Sequence, residues 1–162
     1  MKIRRATEDD IPTILAIWNP EIRNSATTFN SVEKSEADVR AMLIEKADAG
    51  FAFLVAEVSG AVVGFAYYSQ FRGGAGYARC MEHSVYLAPE AKGRGIGRAL
   101  MTEIEDHARS IGAHTIFAGV SADNPAGVAF HESVGYIVVA RLSEVGWKFG
   151  RWLDLVLLQK HL

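Results

Sequence analysis

VYLAPEAKGRGIGRAL, Val85–Leu100, is the segment from which the fold of this chain can be argued. Apolar, β-prone residues come first, and a glycine-rich stretch then leads into a long helical pattern. Glycines let a backbone approach a ligand closely, and the free N–H groups of a helix N-terminus favour an anion. The segment therefore predicts a phosphate-bearing ligand at the start of this helix. The predicted contacts are Lys92, Gly93, Arg94, Gly95, Ile96, Gly97 and Arg98.

Two better-known phosphate loops do not fit this segment. A Walker A loop needs Gly-Lys-Ser/Thr after four spacer residues, and the chain has no such sequence. A dinucleotide fingerprint counted from Gly95 matches at Gly97 but meets Leu100 where its third glycine belongs. A glycine-rich turn with solvated charges is the alternative that these residues leave open.

The rest of the chain alternates strand and helix patterns around this segment. One β-α-β unit, built on the helix Gly95–Ile111, lies between two hairpin patterns. Pro20 is expected to end or kink the first helix, and a polar segment is expected to join the last two strands. The class is α+β, a mostly antiparallel sheet with about four helices. The predicted strands are Ile3–Arg5, Phe51–Val58, Ala61–Ser69, Met81–Leu87, Thr115–Val120, Tyr136–Leu142 and Trp152–Leu158.

Composition limits the classes of protein that this chain can belong to. With 162 residues, 49% of them hydrophobic and 22% charged, we expect one globular domain over residues 1–162 and no disorder. A net charge of −2 argues against a nucleic-acid partner. No apolar run is long enough for a membrane span, and no signal peptide is visible, so we expect a cytoplasmic protein. One cysteine, Cys80, and the histidine spacing favour neither a disulfide nor a metal site.

The glycine-rich segment resembles the acetyl-CoA loop of the GCN5-related N-acetyltransferases, whose pattern is Gln/Arg-x-x-Gly-x-Gly/Ala. Gly95 and Gly97 match this pattern, and Lys92 stands at its Gln/Arg position as a mild departure. Asn124 and the stretch HESVGY, 131–136, fit the helix that follows in the family. The resemblance implies a twisted central sheet and acetyl-CoA as the co-substrate.

Several other segments resemble one branch of that family, the phosphinothricin acetyltransferases. These are EHSVY at 82–86, His131-Glu132, and VGWKFGRWLD at 145–154. The spacing of Arg72, Tyr77 and Glu82 is most similar to the methionine sulfoximine/methionine sulfone acetyltransferases. In this branch the C-terminal hairpins tend to pair subunits, which implies a homodimer.

The resemblance gives each candidate residue a role, and each has a structural alternative. Glu82 is the expected base, and its structural alternative is a solvated carboxylate. His131 is expected to act as an acid or a base, and its alternative is a helix histidine that is hydrogen-bonded to a neighbour. Backbone N–H groups of Val85, Tyr86 and Leu87 are expected to polarise the thioester. Asn124 is expected to bind pantetheine, to cap a helix, or both. Acceptor contacts are expected from Phe29, Arg72 and Tyr77, although a core anchor and a solvated loop are the alternatives.

The predicted function is direct acetyl transfer from acetyl-CoA to the α-amino group of a small amino-acid-like molecule. Methionine sulfoximine, methionine sulfone and phosphinothricin are the leading acceptors, because Arg72 favours a carboxylate. Two other readings stay open at this stage. The acceptor could be a protein N-terminus or a polyamine, or the chain could be a non-catalytic module that binds acetyl-CoA.

Overall fold

The computed structural model describes residues 1–162 and has seven strands in one sheet, in the order β1-β2-β3-β4-β5-β7-β6. The strands are β1 (Lys2–Arg5), β2 (Phe53–Val58), β3 (Ala61–Gln70), β4 (Cys80–Leu87), β5 (Thr115–Ser121), β6 (Ile137–Lys148) and β7 (Arg151–His161). The helices are α1 (Ile11–Asn24), α2 (Glu36–Asp48), α3 (Ile96–Ser110) and α4 (Pro125–Ser133). The predicted class, a mostly antiparallel sheet with four helices, is confirmed.

The β4–β5 pair is the one parallel pair of the sheet, and α3 connects its strands. Cys80–His83 pairs with Thr115–Ala118, and there the pairing stops. Farther on, β4 stays bonded to β3 as far as Leu87, while β5 stays bonded to β7 as far as Ser121. The sheet therefore opens into a gap between the C-terminal halves of β4 and β5.

The helices cover opposite faces of the sheet. Trp18 of α1 packs against Phe65 and Tyr86, with ring centroids 5.3 Å from each, so we call this side the α1 face. On the other side, the α3 face, His107 Nδ1 of α3 lies 2.6 Å from the Tyr68 hydroxyl. Successive strand residues alternate between these two faces.

The local sequence accounts for the helices that frame the gap. Along α3 the residues Ile96, Leu100, Ile104 and Ala108 are buried at helical spacing, so this stripe fixes the helix against the sheet. Ile111, the last residue of the predicted helix, is exposed because the helix has ended there. Ser35 and Asp38 begin α2, with the Asp38 N–H donating to Ser35 Oγ at 3.2 Å.

Two sequence expectations differ from the structure, namely that Pro20 could end the first helix and that a polar linker precedes Trp152. Pro20 lies inside α1 without ending it, because buried Ile17, Trp18 and Ile22 hold both sides of the helix against the core. The polar segment before Trp152 is mostly strand, since β6 runs to Lys148 and leaves only a two-residue turn. An irregularity in pairing between Leu142 and Gly146 absorbs the polar residues that the sequence suggested as a linker.

Candidate active site

A cleft of about 590 Å³ occupies the gap between β4 and β5 and the starts of α3 and α4. Most of the predicted coenzyme contacts line it, which are Val85, Tyr86, Leu87, Lys92, Gly93, Gly95, Gly97, Arg98 and Asn124. Ala118, Gly119 and Val120 form the opposite wall on β5. Because β4 and β5 are not bonded to each other here, backbone polar groups along the gap are free for a ligand.

The start of α3 has the features of an anion site. Gly93 and Gly95 have φ values of +73° and +79°, a left-handed region that favours glycine. No side chain caps the helix, so its first N–H groups are left for a ligand. Lys92 and Arg98 add positive charge beside them, which suits a pyrophosphate.

Close packing holds this helix start beside β4 and α4. A Cβ at Gly97 would lie 3.2 Å from the Phe130 ring and 3.4 Å from Leu87. Ile96 is buried in the core, and Arg94 lies outside the cleft lining. Of the seven predicted phosphate contacts, these two therefore place no side chain on the cleft.

Asn124 caps α4 at the edge of the cleft. Its Oδ1 accepts a hydrogen bond from the Gly127 N–H at 3.0 Å. The geometry thus shows Asn124 as a helix cap, which was its structural alternative. The side chain also lines the cleft, so capping does not remove it from a ligand's reach.

Glu82 lies on the α1 face, because it has the parity of Tyr86 on β4. Its carboxylate leans over Gly119 of β5, where a Cβ would be 3.0 Å from Glu82 Oε1. Burial raises the pKa of Glu82 above that of an ordinary glutamate. A partly buried carboxylate with a raised pKa, beside the gap, is suited to accept a proton from an ammonium group.

His131 lies on the other side of the sheet, the α3 face. Its Nδ1 is 2.7 Å from the Gly127 carbonyl oxygen, which can only accept, so Nδ1 carries the proton and Nε2 the lone pair. Burial lowers the pKa of His131 and, further, that of His83, whose ring centroid is 5.1 Å away. Neutral His131 therefore has a proton-accepting Nε2 that is buried and makes no hydrogen bond within the protein.

The predicted acceptor residues do not line the cleft. Arg72 and Tyr77 lie together on the exposed loop before β4, with the guanidinium carbon 6.0 Å from the Tyr77 ring. Phe71 connects this loop to the sheet by stacking on Phe117, the β5 partner of Glu82, at 4.5 Å. Phe29 is half-buried and packs against Gly146 of β6, outside the main hydrophobic core.

Four other residues bear on the site and were not predicted. Glu21 and Thr27 line the cleft, and Thr27 Oγ1 donates to Glu21 Oε2 at 3.0 Å. Gly119 leaves room for the Glu82 carboxylate, and Lys148 is buried beneath the segment that carries Thr27. Nothing local in the sequence signals these contacts, since each depends on chain segments brought together by folding.

The molecule has no group of three or more His, Cys, Asp or Glu residues arranged to hold a metal ion. No helix is both long and apolar enough to cross a membrane. Cys80 begins β4 and is half-buried, as predicted, and burial raises the pKa of its thiol. A raised pKa disfavours the thiolate, so Cys80 is a poor nucleophile.

The sheet thus opens at its parallel pair, with the uncapped, glycine-rich start of α3 on one side and the partly buried Glu82 carboxylate on the other, an arrangement suited to group transfer. Residues 19–136 match the Acetyltransferase (GNAT) family, and the chain belongs to this family. It is an N-acetyltransferase, as its sequence predicts.

Two curated relatives match along the whole chain. The L-amino acid N-acyltransferase MnaT of Escherichia coli is 38% identical over all of this chain and 94% of its own length. The L-methionine sulfoximine/L-methionine sulfone acetyltransferase of Salmonella typhimurium is 36% identical over all of this chain and 95% of its own. The predicted branch of the family is thus confirmed.

Two solved structures share the fold closely. The ribosomal-protein-alanine N-acetyltransferase of Brucella melitensis is 42% identical with a TM-score of 0.96, and each chain covers the other completely. The acetyltransferase yncA of Salmonella typhimurium, solved with its cofactor acetyl-CoA, is 36% identical with a TM-score of 0.95. It covers all of this chain, which spans 94% of it.

Proposed function

We propose that this protein transfers the acetyl group of acetyl-CoA directly to the α-amino group of a small amino-acid-like acceptor. The observation that carries the proposal is the open β4–β5 pair, which joins a phosphate-binding helix start to the Glu82 carboxylate. The co-substrate and the acceptor then approach the gap from opposite faces of one sheet.

Acetyl-CoA occupies the α3 side in this proposal. Its pyrophosphate lies on the backbone of residues 93–98, and its pantetheine arm runs along the free edges of β4 and β5 beside Asn124. Backbone N–H groups of Val85, Tyr86 and Leu87 stabilise the charge that develops on the thioester oxygen. The glycine conformations and the uncapped helix start support this placement.

Glu82 is the proposed base, since it faces the acceptor side of the gap. An α-ammonium group must lose a proton before its nitrogen can attack the thioester carbon. The carboxylate takes that proton, and the neutral amine then forms a tetrahedral intermediate. The raised pKa of Glu82 makes it a stronger base than an ordinary carboxylate.

His131 is the proposed proton carrier on the coenzyme side. Its Nε2 takes the second proton from the nitrogen of the tetrahedral intermediate and returns it to the departing thiolate of coenzyme A. The N–H bond breaks, an Nε2–H bond forms, and that proton ends on sulfur. The fixed tautomer of His131 supports this order, because Nε2 is free to accept first.

The acceptor class rests on Arg72, Tyr77 and Phe29. The Arg72 guanidinium, on the exposed loop before Glu82, would pair with an acceptor carboxylate in this proposal, which requires the loop to close toward the base. Methionine sulfoximine, methionine sulfone and phosphinothricin all carry that carboxylate. A protein N-terminal alanine is the second candidate, because the Brucella structure that is 42% identical carries that name.

We also propose that this single-domain protein is a cytoplasmic homodimer. Large apolar side chains are exposed along the hairpin β6–β7, more than one monomer surface usually tolerates in one place. They are Ile137, Val139, Leu142, Val145, Trp147, Phe149 and Trp152. Sedimentation should give twice the monomer mass, and Trp147→Ser with Trp152→Ser should give the monomer; a wild-type monomer would refute the dimer.

The acceptor is tested by measuring coenzyme A release with a matched panel. It comprises L-methionine sulfoximine, its decarboxylated amine, a polyamine and a short peptide with N-terminal alanine. We expect the amino acid to have the highest kcat/KM, by at least about tenfold over its decarboxylated amine. Equal rates for these two would remove the amino-acid class, and no release with any amine would leave a non-catalytic acetyl-CoA-binding module.

A further inference from the structure

Residues 25–30, here called the acceptor loop, follow α1 without regular structure. The loop fixes one side chain locally: the Thr27 N–H donates to Ser25 Oγ at 3.0 Å, and Thr27 Oγ1 donates to Glu21. These contacts turn Thr27 toward the cleft that it lines with Glu21. They do not fix the backbone carbonyl groups of Ser25 and Thr28.

Those two carbonyl groups are held by one lysine from the far end of the chain. Lys148 Nζ donates to the Ser25 oxygen at 2.6 Å and to the Thr28 oxygen at 2.8 Å. Lys148 is the last residue of β6 and is 2% exposed, although its neighbours Trp147 and Phe149 are more than half exposed. Its burial therefore comes from the acceptor loop rather than from its place in the hairpin.

Burying an ammonium group costs free energy that a methionine of similar length would avoid. The lowered pKa of Lys148 reflects that cost, which Glu21 partly offsets by its negative charge. What the ammonium provides in return is two charge-assisted hydrogen bonds, which tie the Ser25 and Thr28 carbonyls to one point. A buried lysine of this kind determines the position of a loop more than it stabilises the fold.

A second contact from the same strand end acts on the same loop. A Cβ at Gly146 would lie 2.5–2.8 Å from three atoms of the Phe29 ring. Only glycine leaves the space that Phe29 fills. Gly146 therefore contacts the loop at Phe29, next to Thr28, which Lys148 holds. Gly146 and Lys148 have the same parity, and they point away from the exposed Trp147.

We propose that the end of the β6–β7 hairpin is a specificity device, in which Lys148 positions the acceptor loop and so determines which amines fit beside Glu82. This deepens the proposed function and rests on it for the acceptor class. Lys148 is a positioning residue, because it acts through Ser25 and Thr28 and does not line the cleft. Lys148 donates no hydrogen bond to the start of α3, although Lys92 there pairs with Glu21 at 3.5 Å.

The test compares Lys148→Met, Lys148→Arg and Gly146→Ala with Lys2→Met, which removes an exposed lysine from β1. We expect Lys148→Met to raise the acceptor KM by about 10–100-fold, the loss of charge-assisted hydrogen bonds, with the acetyl-CoA KM within about twofold. The differences in kcat/KM among the acceptors should become smaller. Arginine should restore part of the effect, Gly146→Ala should reproduce it by displacing Phe29, and Lys2→Met should change nothing.

If Lys148→Met raises the acceptor KM and the acetyl-CoA KM to a similar extent and also lowers thermal stability, the lysine is purely structural and the proposal is overturned. An unchanged acceptor KM and ranking would overturn it too. Amide hydrogen exchange separates these results from a failure of the proposed function. If wild type acetylates no amine, faster exchange at residues 25–30 in Lys148→Met still supports the positioning of the loop, and unchanged exchange refutes it.

Discussion

The two sides of the β4–β5 gap are built in different ways. The proposed phosphate-binding part of the coenzyme side comes from one continuous stretch, Val85–Arg98, whose glycines and helix start lie next to one another in the sequence, and β5 and α4 add the opposite wall. The acceptor side is assembled from distant segments, since Lys148 and Gly146 hold residues 25–30 across more than a hundred positions. A coenzyme site made by local geometry can stay constant while an acceptor site made by long-range contacts changes.

Because of this difference, we expect that acetyl-CoA binding can be changed separately from the reaction rate and from the choice of acceptor. Substitutions at the helix start should affect acetyl-CoA, and substitutions on the α1 face should affect the reaction or the acceptor. A single variant that weakened acetyl-CoA binding and acceptor binding equally would contradict this expectation. The largest effect is expected where the two sides meet, at Glu82.

Glu82→Gln should lower kcat by about 10²–10⁴-fold, because amide nitrogen and oxygen cannot take the ammonium proton. Burial raises the pKa of Glu82, so wild-type kcat/KM should fall as the pH drops through a value above that of an ordinary carboxylate. The variant should lose this acidic limb. Calorimetry should give unchanged acetyl-CoA affinity; a near-normal rate with the limb intact would assign the base to another group.

Gly95→Val should weaken acetyl-CoA binding by at least about 100-fold, since a β-branched residue at φ +79° disturbs the phosphate loop. Gly50→Val is a matched control, with φ +73° and open space around its Cβ, at the end of α2. Gly97→Val is less informative, because its side chain would press on Phe130 and disturb packing. Normal affinity in folded Gly95→Val would remove the phosphate site from this helix start.

Arg72→Ala should raise the acceptor KM by about 10–150-fold, the loss of one bidentate charge-assisted contact. The acetyl-CoA KM should stay nearly constant, because Arg72 precedes β4 and the phosphate site follows it. Arg40→Ala, which removes a partly exposed arginine of α2 and its surface pair with Glu8, is the control. If Arg72→Ala leaves the acceptor KM unchanged, the loop before β4 does not bind the carboxylate.

Gly119→Ala should lower kcat by about tenfold with little change in either KM. Its methyl group would lie 3.0 Å from Glu82 Oε1, so the carboxylate must shift by a few tenths of an ångström. Small displacements of a reacting group lower rates more than they lower binding. A variant with full kcat would show that the position of the carboxylate over β5 is not critical.

The same contrast explains what the sequence predicts well. The order of elements, the parallel β4–β5 unit and the glycine loop follow from local patterns, and the structure agrees with them. Arg94 shows the limit, since the motif gives its position beside the glycines but not that its side chain lies outside the cleft. The hairpin β6–β7 was predicted too short, because its polar residues are typical of a linker and the irregular pairing is not visible in one strand.

The acceptor side is hard to predict for a physical reason. Phe29, Lys148 and Gly119 gain their roles from partners far along the chain, and no spacing rule connects them. Arg72 and Tyr77 were predicted by resemblance, and they lie outside the cleft on an exposed loop.

The most direct test of direct transfer across the gap measures product and thiol together. Purified protein, acetyl-CoA and L-methionine sulfoximine are mixed, and N-acetyl product and free coenzyme A are quantified by mass spectrometry and thiol titration. We predict equal amounts of both, acetylation at the α-nitrogen, and neither thiol nor acetylated protein when the acceptor is omitted. Stoichiometric thiol release and acetylated Cys80 without acceptor would contradict direct transfer, and thiol release without N-acetyl product would contradict the N-acetyltransferase account.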